Sequence, residues 1–414
     1  MPRAPARMRR RRTLCYDFGP MRSETGSALG IYVHIPFCRS KCRYCDFNSY
    51  AGREGMIDEY VEATLTEMAT VVARANGPRA TTLYIGGGTP SLLPTPAVAA
   101  IVEQARRLFT LPAEAEVTLE ANPGTLTKQG LATLREAGMN RLSLGVQSFD
   151  ERELRFLGRI HFAADARAAY EWARLAGFTN VNLDLIYALP GQTADGWLRS
   201  LRQAIDLAPE HLSLYALSVE EGTPLAAAVA AGTVVPATPD EAATLYEVSH
   251  EALAAAGYQH YEISNWARRP EQGRAPLRSR HNLIYWRNQP YLGFGAGAHS
   301  FFGHSRYSNE REPRRYVALV RREGRAVVDS TALNETHEAQ DTLMLGLRLA
   351  EGVDVASFQA RHGWDLLRLC GDEIEEMSAI GLLAIEEGSL RLTPKGWLLE
   401  NEVLLRLLPR LQPV

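Results

Sequence analysis

Cys38-Arg-Ser-Lys-Cys42-Arg-Tyr-Cys45, set between Tyr32-Val33-His34-Ile35-Pro36-Phe37 and Asp46-Phe47, puts three of the chain's five cysteines within eight residues. Thiolates spaced in this way converge from one tight loop onto three corners of a [4Fe–4S] cluster, for which cysteine is the usual ligand. The fourth iron then lacks a protein ligand, which suits a small molecule bound and reduced there better than simple electron transfer. A disulfide framework fits poorly, because the cysteines are few and odd in number and no secretory signal is expected. Structural zinc wants four ligands. His34 is the nearby candidate for a fourth, but it falls on an expected strand before the loop.

Working outward, 414 residues suffice for one large domain and a smaller one. The net charge of -3, from 45 basic and 48 acidic side chains, gives no global reason to bind nucleic acid or an anionic membrane. No apolar run reaches the length of about 18 residues needed to span a bilayer. Reduced thiols fit a cytoplasmic protein. Residues 1–29 read as a disordered basic tail: six arginines precede Thr13 with no acid among them. An Arg-rich organelle-targeting segment and an upstream start codon are the alternatives. Cys15 lies in this tail and is read as incidental.

Between residues 30 and 222, strand-like runs at 31–35, 82–85, 117–120, 141–146, 181–186 and 211–217 alternate with amphipathic helical patterns at 56–75, 95–108, 128–137, 164–176 and 194–207. Such alternation predicts an α/β fold with a parallel sheet and helices outside it, barrel or doubly wound. From 223 to 333 the alternation weakens. A helix at 239–256 precedes an irregular stretch rich in Arg, Asn and Gly. Residues 334–414 read as helices at 341–349, 353–362 and 364–380, a short β wing at 384–392 and a last helix after Pro394, a winged-helix-like module. The wing carries Glu386 and Glu387 against Arg391 alone, so it reads as a packing or partner surface rather than a DNA reader.

Several words sit at expected strand ends, where parallel α/β folds place their chemistry. Leu83-Tyr84-Ile85-Gly86-Gly87-Gly88-Thr89 runs a strand into three glycines, which let backbone approach a ligand closely; alone, it is as readily a plain turn. Glu120-Ala-Asn122-Pro123 offers a carboxylate to an amino group or to hydroxyls, or is a solvated loop acid. Gln147 ends the next strand, and Leu157-Gly158-Arg159 follows. Asp184 sits inside the apolar run 181–187, where an unpaired carboxylate is costly, and Arg159 is a possible partner. Arg280-His281-Asn282-Leu283-Ile284-Tyr285-Trp286 is either an aromatic core corner or a haem-facing group, since imidazole is a common axial ligand of haem iron. His299, beside the glycine-rich turn 293–298, and His304 compete with His281 for that role.

The cysteine spacing in its aromatic context resembles the radical S-adenosylmethionine (SAM) superfamily. The word Tyr32-Val33-His34-Ile35-Pro36-Phe37-Cys38 is similar to the group of oxygen-independent coproporphyrinogen III dehydrogenases and HemW haem chaperones, from about Gly30 to the C-terminus. The resemblance implies a partial (β/α)6 barrel over 30–222, an α+β extension closing it over 223–333, and the winged-helix-like module over 334–414. It implies Cys38, Cys42 and Cys45 as cluster ligands. It implies SAM contacts at Tyr32, Gly87, Gly88, Thr89, Glu120, Gln147, Arg159 and Asp184, with Ala216 and Ala298 near the adenine. For the chaperone branch it implies haem contacts at His281, Asn282, Tyr285 and Trp286.

The chemistry implied is one-electron cleavage of SAM to methionine and a 5′-deoxyadenosyl radical. In the dehydrogenases this radical attacks propionates of coproporphyrinogen III; those enzymes resemble one another in a fourth cysteine, where this chain has Phe47, and in an ordered N-terminal segment that the Arg-rich tail does not suit. Both departures, with the His281 word, favour a haem chaperone over a decarboxylase; whether the protein is also an enzyme stays open. The partners implied are haem, an acceptor haemoprotein and a flavodoxin- or ferredoxin-like electron donor.

Overall fold

The computed structural model describes residues 28–74, 79–269 and 276–412. The expected basic tail and Cys15 fall on residues 1–27, outside the described residues. At the tail's expected end, Leu29 already belongs to the first strand.

Six parallel strands follow one another in chain order: β1 Leu29–Ile35, β2 Ala80–Gly87, β3 Glu116–Ala121, β4 Arg141–Gln147, β5 Val181–Tyr187 and β6 His211–Ala216. Their near-continuous burial is that of a parallel sheet covered on both faces. The helices Ile57–Arg74, Thr95–Leu108, Lys128–Glu136, Ala163–Leu175 and Ala194–Asp206 return the chain between them. Each strand and helix lies within two residues of its expected position. The sequence pattern missed a short helix, Glu151–Leu157, whose two turns are too few to show a period. Its ends are well marked: Asp150 accepts from the backbone of Arg152 and Glu153, and Gly158 closes it at φ 76°.

Residues 223–333 do more than the weakened alternation suggested, because they extend the same sheet at both edges. The hairpin Tyr258–Glu262 and Asn265–Arg268 adds antiparallel to β6. On the other side Tyr291–Phe294 lies parallel to β1, followed by the antiparallel strands His299–Phe302, Ser305–Asn309 and Val327–Ala332. The result is a linear order of 12 strands, an open barrel with antiparallel wings. The wing strands escaped notice because they are short and mix polar with aromatic residues.

Helix Arg280–Trp286 covers the N-terminal ends of β1–β3. The Glu116 carboxylate, at the start of β3, accepts from the backbone N–H of Arg280 and of His281, each at 3.0 Å. A carboxylate there satisfies donors that a helix start leaves open. The barrel is thereby closed at its floor and open where β1–β6 end.

Residues 339–411 contribute a second buried core that includes Leu343, Phe358, Leu366, Ile374, Leu390 and Leu404, beside a three-stranded sheet. The expected wing is the hairpin Leu383–Glu386 and Ser389–Leu392. The single helix expected at 364–380 is instead two, Leu366–Leu369 and Gly371–Ala379, broken where Cys370 leaves helical geometry at φ -117° and ψ 16°. The helix expected at 341–349 begins earlier, at Glu335, because Asn334 caps it.

One buried carboxylate ties the extension to the barrel. Glu67, in helix Ile57–Arg74, accepts from Gly295 N at 3.0 Å, Asn309 Nδ2 at 2.9 Å, the Tyr316 hydroxyl at 2.8 Å and Ala326 N at 3.3 Å. Glu67→Ala strands these donors out of reach of water. It is expected to cost about 3–5 kcal/mol of stability, read from the denaturant midpoint.

Candidate functional site

The cysteine loop begins where β1 ends and is fastened at several points. Asn48 donates through Nδ2 to the carbonyls of Ala296, at 2.9 Å, and Arg311, at 3.0 Å. His34 lies 2.9 Å through Nε2 from the Asn48 carbonyl and 2.9 Å through Nδ1 from the Tyr32 hydroxyl. A carbonyl only accepts, so Nε2 carries the proton and Nδ1 accepts from Tyr32. Burial, ahead of other influences, lowers the His34 pKa and keeps the ring neutral. With both nitrogens used, His34 offers no fourth position to a metal held by the loop.

The glycine turn lies directly on this loop. Gly87 has φ +121°, and a Cβ there would sit 2.7 Å from His34 Cε1 and 2.9 Å from the Ile35 carbonyl. A Cβ on Gly88 would sit 2.9 Å from Cys38 Sγ. Real Cβ atoms do not approach so closely, so the end of β2 meets the end of β1 only because these residues lack side chains. Thr89 then donates from Oγ1 to Cys38 Sγ at 3.5 Å and receives Asn122 Nδ2 at 2.9 Å.

The wall opposite is built from the ends of β3–β6. Glu120 accepts from Gly87 N at 2.9 Å through Oε2 and from the Tyr84 hydroxyl at 2.6 Å through Oε1. Burial pushes its carboxyl up to about 7. Arg159 reaches Gly145 O at 2.8 Å, the Asn122 side-chain oxygen, and Cys42 Sγ at 3.4 Å. It does not pair with Asp184. That carboxylate instead accepts from Ser143 Oγ at 2.9 Å and Asn182 Nδ2 at 2.8 Å, and burial raises its pKa. Gln147 adopts φ 66°, a left-handed backbone that a non-glycine residue rarely takes outside constrained sites.

Cys38, Cys42, Cys45, Gly87, Gly88, Thr89, Glu120, Gln147, Arg159, Asp184 and Ala216 all line one cavity of about 450 Å³. Its wall also includes Tyr44, Ser143 and Tyr215, which the sequence did not single out. Tyr44 sits between two of the cysteines and Tyr215 precedes Ala216 at the end of β6, so position alone could have flagged them. The donor set fits a polynuclear iron–sulfur group. The three thiols are unbridged and edge one space. Among the described residues no three thiol, imidazole or carboxylate groups close around a single metal ion. The Arg159 guanidinium beside Cys42 suits the negative charge of a thiolate-bound cluster.

The remaining expected contacts lie elsewhere. Tyr32 lines a second cavity that shares Phe47, Gly87 and Glu120 with the first. Ala298 is buried and lines neither cavity. His281 is inside the barrel floor, stacked on Tyr84 with ring centroids 5.1 Å apart. Its Nδ1 is 2.7 Å from Thr82 Oγ1 and its Nε2 is 2.8 Å from the Tyr285 hydroxyl. Burial pulls its pKa down to about 3. As placed, it presents no free nitrogen to a haem iron. Asn282 is half-buried on the same helix, and Trp286 lies under the Arg348 guanidinium at 4.6 Å. Neither lines either cavity.

Residues 32–204 match the family model of the radical SAM superfamily, and residues 333–399 match that of the HemN C-terminal domain. The chain is 36% identical over 373 residues to "Heme chaperone HemW" of Bacillus subtilis, covering 90% of this chain and 97% of that one. It is 38% identical over 388 residues to the protein of the same name from Escherichia coli, covering 91% and 97%. The mouse "Radical S-adenosyl methionine domain-containing protein 1, mitochondrial" is 37% identical over 424 residues, covering 99% and 94%. Among solved structures, coproporphyrinogen III oxidase (HemN) of Escherichia coli superposes with TM-score 0.79 at 24% identity, covering 92% of this chain and 90% of that one, a likeness of fold.

Serine in place of Cys38, Cys42 or Cys45 is expected to strip most of the iron and sulfide retained after anaerobic reconstitution, with loss of the cluster's visible absorbance. Cys370→Ala, in the separate C-terminal core, is expected to leave both unchanged.

Proposed function

The chain belongs to the HemW family within the radical SAM superfamily, and from that premise we propose that it is a haem chaperone, a cluster- and SAM-binding protein that takes up haem and passes it to an acceptor haemoprotein. The observation that carries this reading is similarity along almost the whole length of HemW relatives, joined to a cavity in which three thiols meet the glycine turn and Glu120. Phe47 supports it against the decarboxylase alternative. Where the dehydrogenases have a further cysteine, this chain exposes a phenyl ring, 64% accessible.

Cys38, Cys42 and Cys45 would hold the cluster and leave one iron to SAM. When bound, the pair supplies one-electron reductive cleavage of the sulfonium. The chain's own part is to bind and orient. With the Gly87 N–H given to Glu120 and the Gly88 N–H to the Ile35 carbonyl, the backbone of this turn would meet the methionine end of SAM through its carbonyls. Glu120 keeps acceptor capacity beyond its two present donors, for an ammonium or for ribose hydroxyls. Arg159 holds the ends of β3 and β4 against the cysteine loop, and Asp184 waits at the ribose side already held by Ser143 and Asn182. Tyr215 and Ala216 line the same cavity and would wall the adenine. Exposed Arg39, Lys41 and Arg43 surround the loop with positive charge, which favours an acidic one-electron donor of the flavodoxin or ferredoxin kind. We place the protein in the cytoplasm, in keeping with its free thiols. Among the described residues no helix is long and apolar enough to cross a membrane.

Because the Glu120 carboxyl ionises near pH 7, its anionic form grows between about pH 6 and about pH 8. Amine and hydroxyl donors bind the anion more strongly than the acid, so SAM affinity of the cluster-loaded protein is expected to rise with pH across that interval. Glu120→Gln is expected to weaken binding by about tenfold and flatten the pH dependence, read by equilibrium dialysis. The function itself is tested by giving the loaded protein haem, or coproporphyrinogen III with SAM and reductant. Saturable haem uptake and release to an apo-haemoprotein, without porphyrin product, is the expected result. Repeated turnover to vinyl-bearing product would sink the chaperone reading.

A further inference from the structure

We propose that haem docks in the second cavity, with the His299 imidazole as its iron ligand and the Arg311 guanidinium on a propionate. This inference rests on the haem-chaperone reading and gives it a place. The cavity, of about 580 Å³, lies within the usual range for small-molecule sites. It adjoins the cluster cavity through Phe47, Gly87 and Glu120, so a porphyrin there would lie beside the reacting centre.

Among largely polar lining residues it offers an apolar rim, an imidazole and a guanidinium, groups that suit a plate carrying a metal and two carboxylates. Phe47 and Val328 give the rim apolar surface, 64% and 47% accessible. His299 is exposed, and among the described residues nothing donates to or accepts from its ring. Partial burial at the cavity wall first, then the positive charge of Arg311 and Arg306, lowers its pKa, which favours the neutral ring with a lone pair to give. Arg311 is exposed too, and among the described residues its side chain has no hydrogen bond or ion pair. Guanidinium is well suited to a carboxylate, and imidazole to haem iron.

The fold builds this arrangement deliberately. Gly297, at φ +74°, lies against Asn48, and a Cβ there would come 2.5 Å from Asn48 Nδ2. That contact sets the turn before His299 onto the cysteine loop. Strand pairing then puts His299 opposite Ser308, another wall residue. The competing imidazoles lie outside both cavities. His281 has both nitrogens engaged in the floor, and His304 Nδ1 sits 2.6 Å from the Glu338 carboxylate.

The test is a haem titration of the full chain, loaded with cluster, followed by the Soret band and by electron paramagnetic resonance of the ferric form. Cluster content of each variant is measured alongside. His299→Ala is expected to weaken binding at least about tenfold and to erase the imidazole signature. Arg311→Ala is expected to weaken it by about threefold to tenfold, and haem dimethyl ester should not distinguish Arg311→Ala from the wild type. Wild-type affinity and spectrum in His299→Ala would overturn the site while leaving the chaperone reading intact. So would binding lost only in His281→Phe with normal cluster content. Absence of saturable haem binding by the wild type would overturn both.

Discussion

The architecture depends on one close approach, that of the Gly87–Gly88 backbone to the end of β1 and to Cys38. Atoms that would meet a side chain at 2.7–2.9 Å leave no room for any residue but glycine. Removing that freedom would push β2 away from the thiol loop. Thr89, Asn122 and Arg159 follow from it in a chain of contacts, each fixing the next strand end relative to the loop. The cavity is therefore registered from one side, by backbone, and its far wall is drawn in by side chains.

The barrel was legible in the sequence because its signals are redundant. Strands 181–187 and 141–147 are buried on both faces and set Leu, Ile or Val at every second position or closer, and each helix between carries a clear period. The cysteine loop and the glycine turn were legible because few other residues could do what they do. The wings were not. Strands such as Ser305–Asn309 are only partly buried, so their composition follows their neighbours rather than a period of two. The helix expected at 364–380 failed for a local reason, a break at Cys370–Gly371, where the poor helix propensity of glycine was the available signal.

Burial, more than motif, separates the histidines. The sequence ranks His281 first because aromatic residues crowd around it. In the fold that crowding is the packing of the floor, with Tyr84, Tyr285 and Thr82 using up the ring. Of the two described histidines that line the second cavity, His34 has both nitrogens engaged and His299, in a plainer context, has neither. A word rich in aromatics marks a core and a cofactor site equally well, and only hydrogen-bond accounting tells them apart.

The capped floor also dictates traffic. Helix Arg280–Trp286, held to β3 by Glu116, shuts the floor, so among the described residues the cluster cavity sits at the strand ends. Two guests in cavities that share Phe47, Gly87 and Glu120 would not move independently, so occupancy of one would bear on exchange of the other.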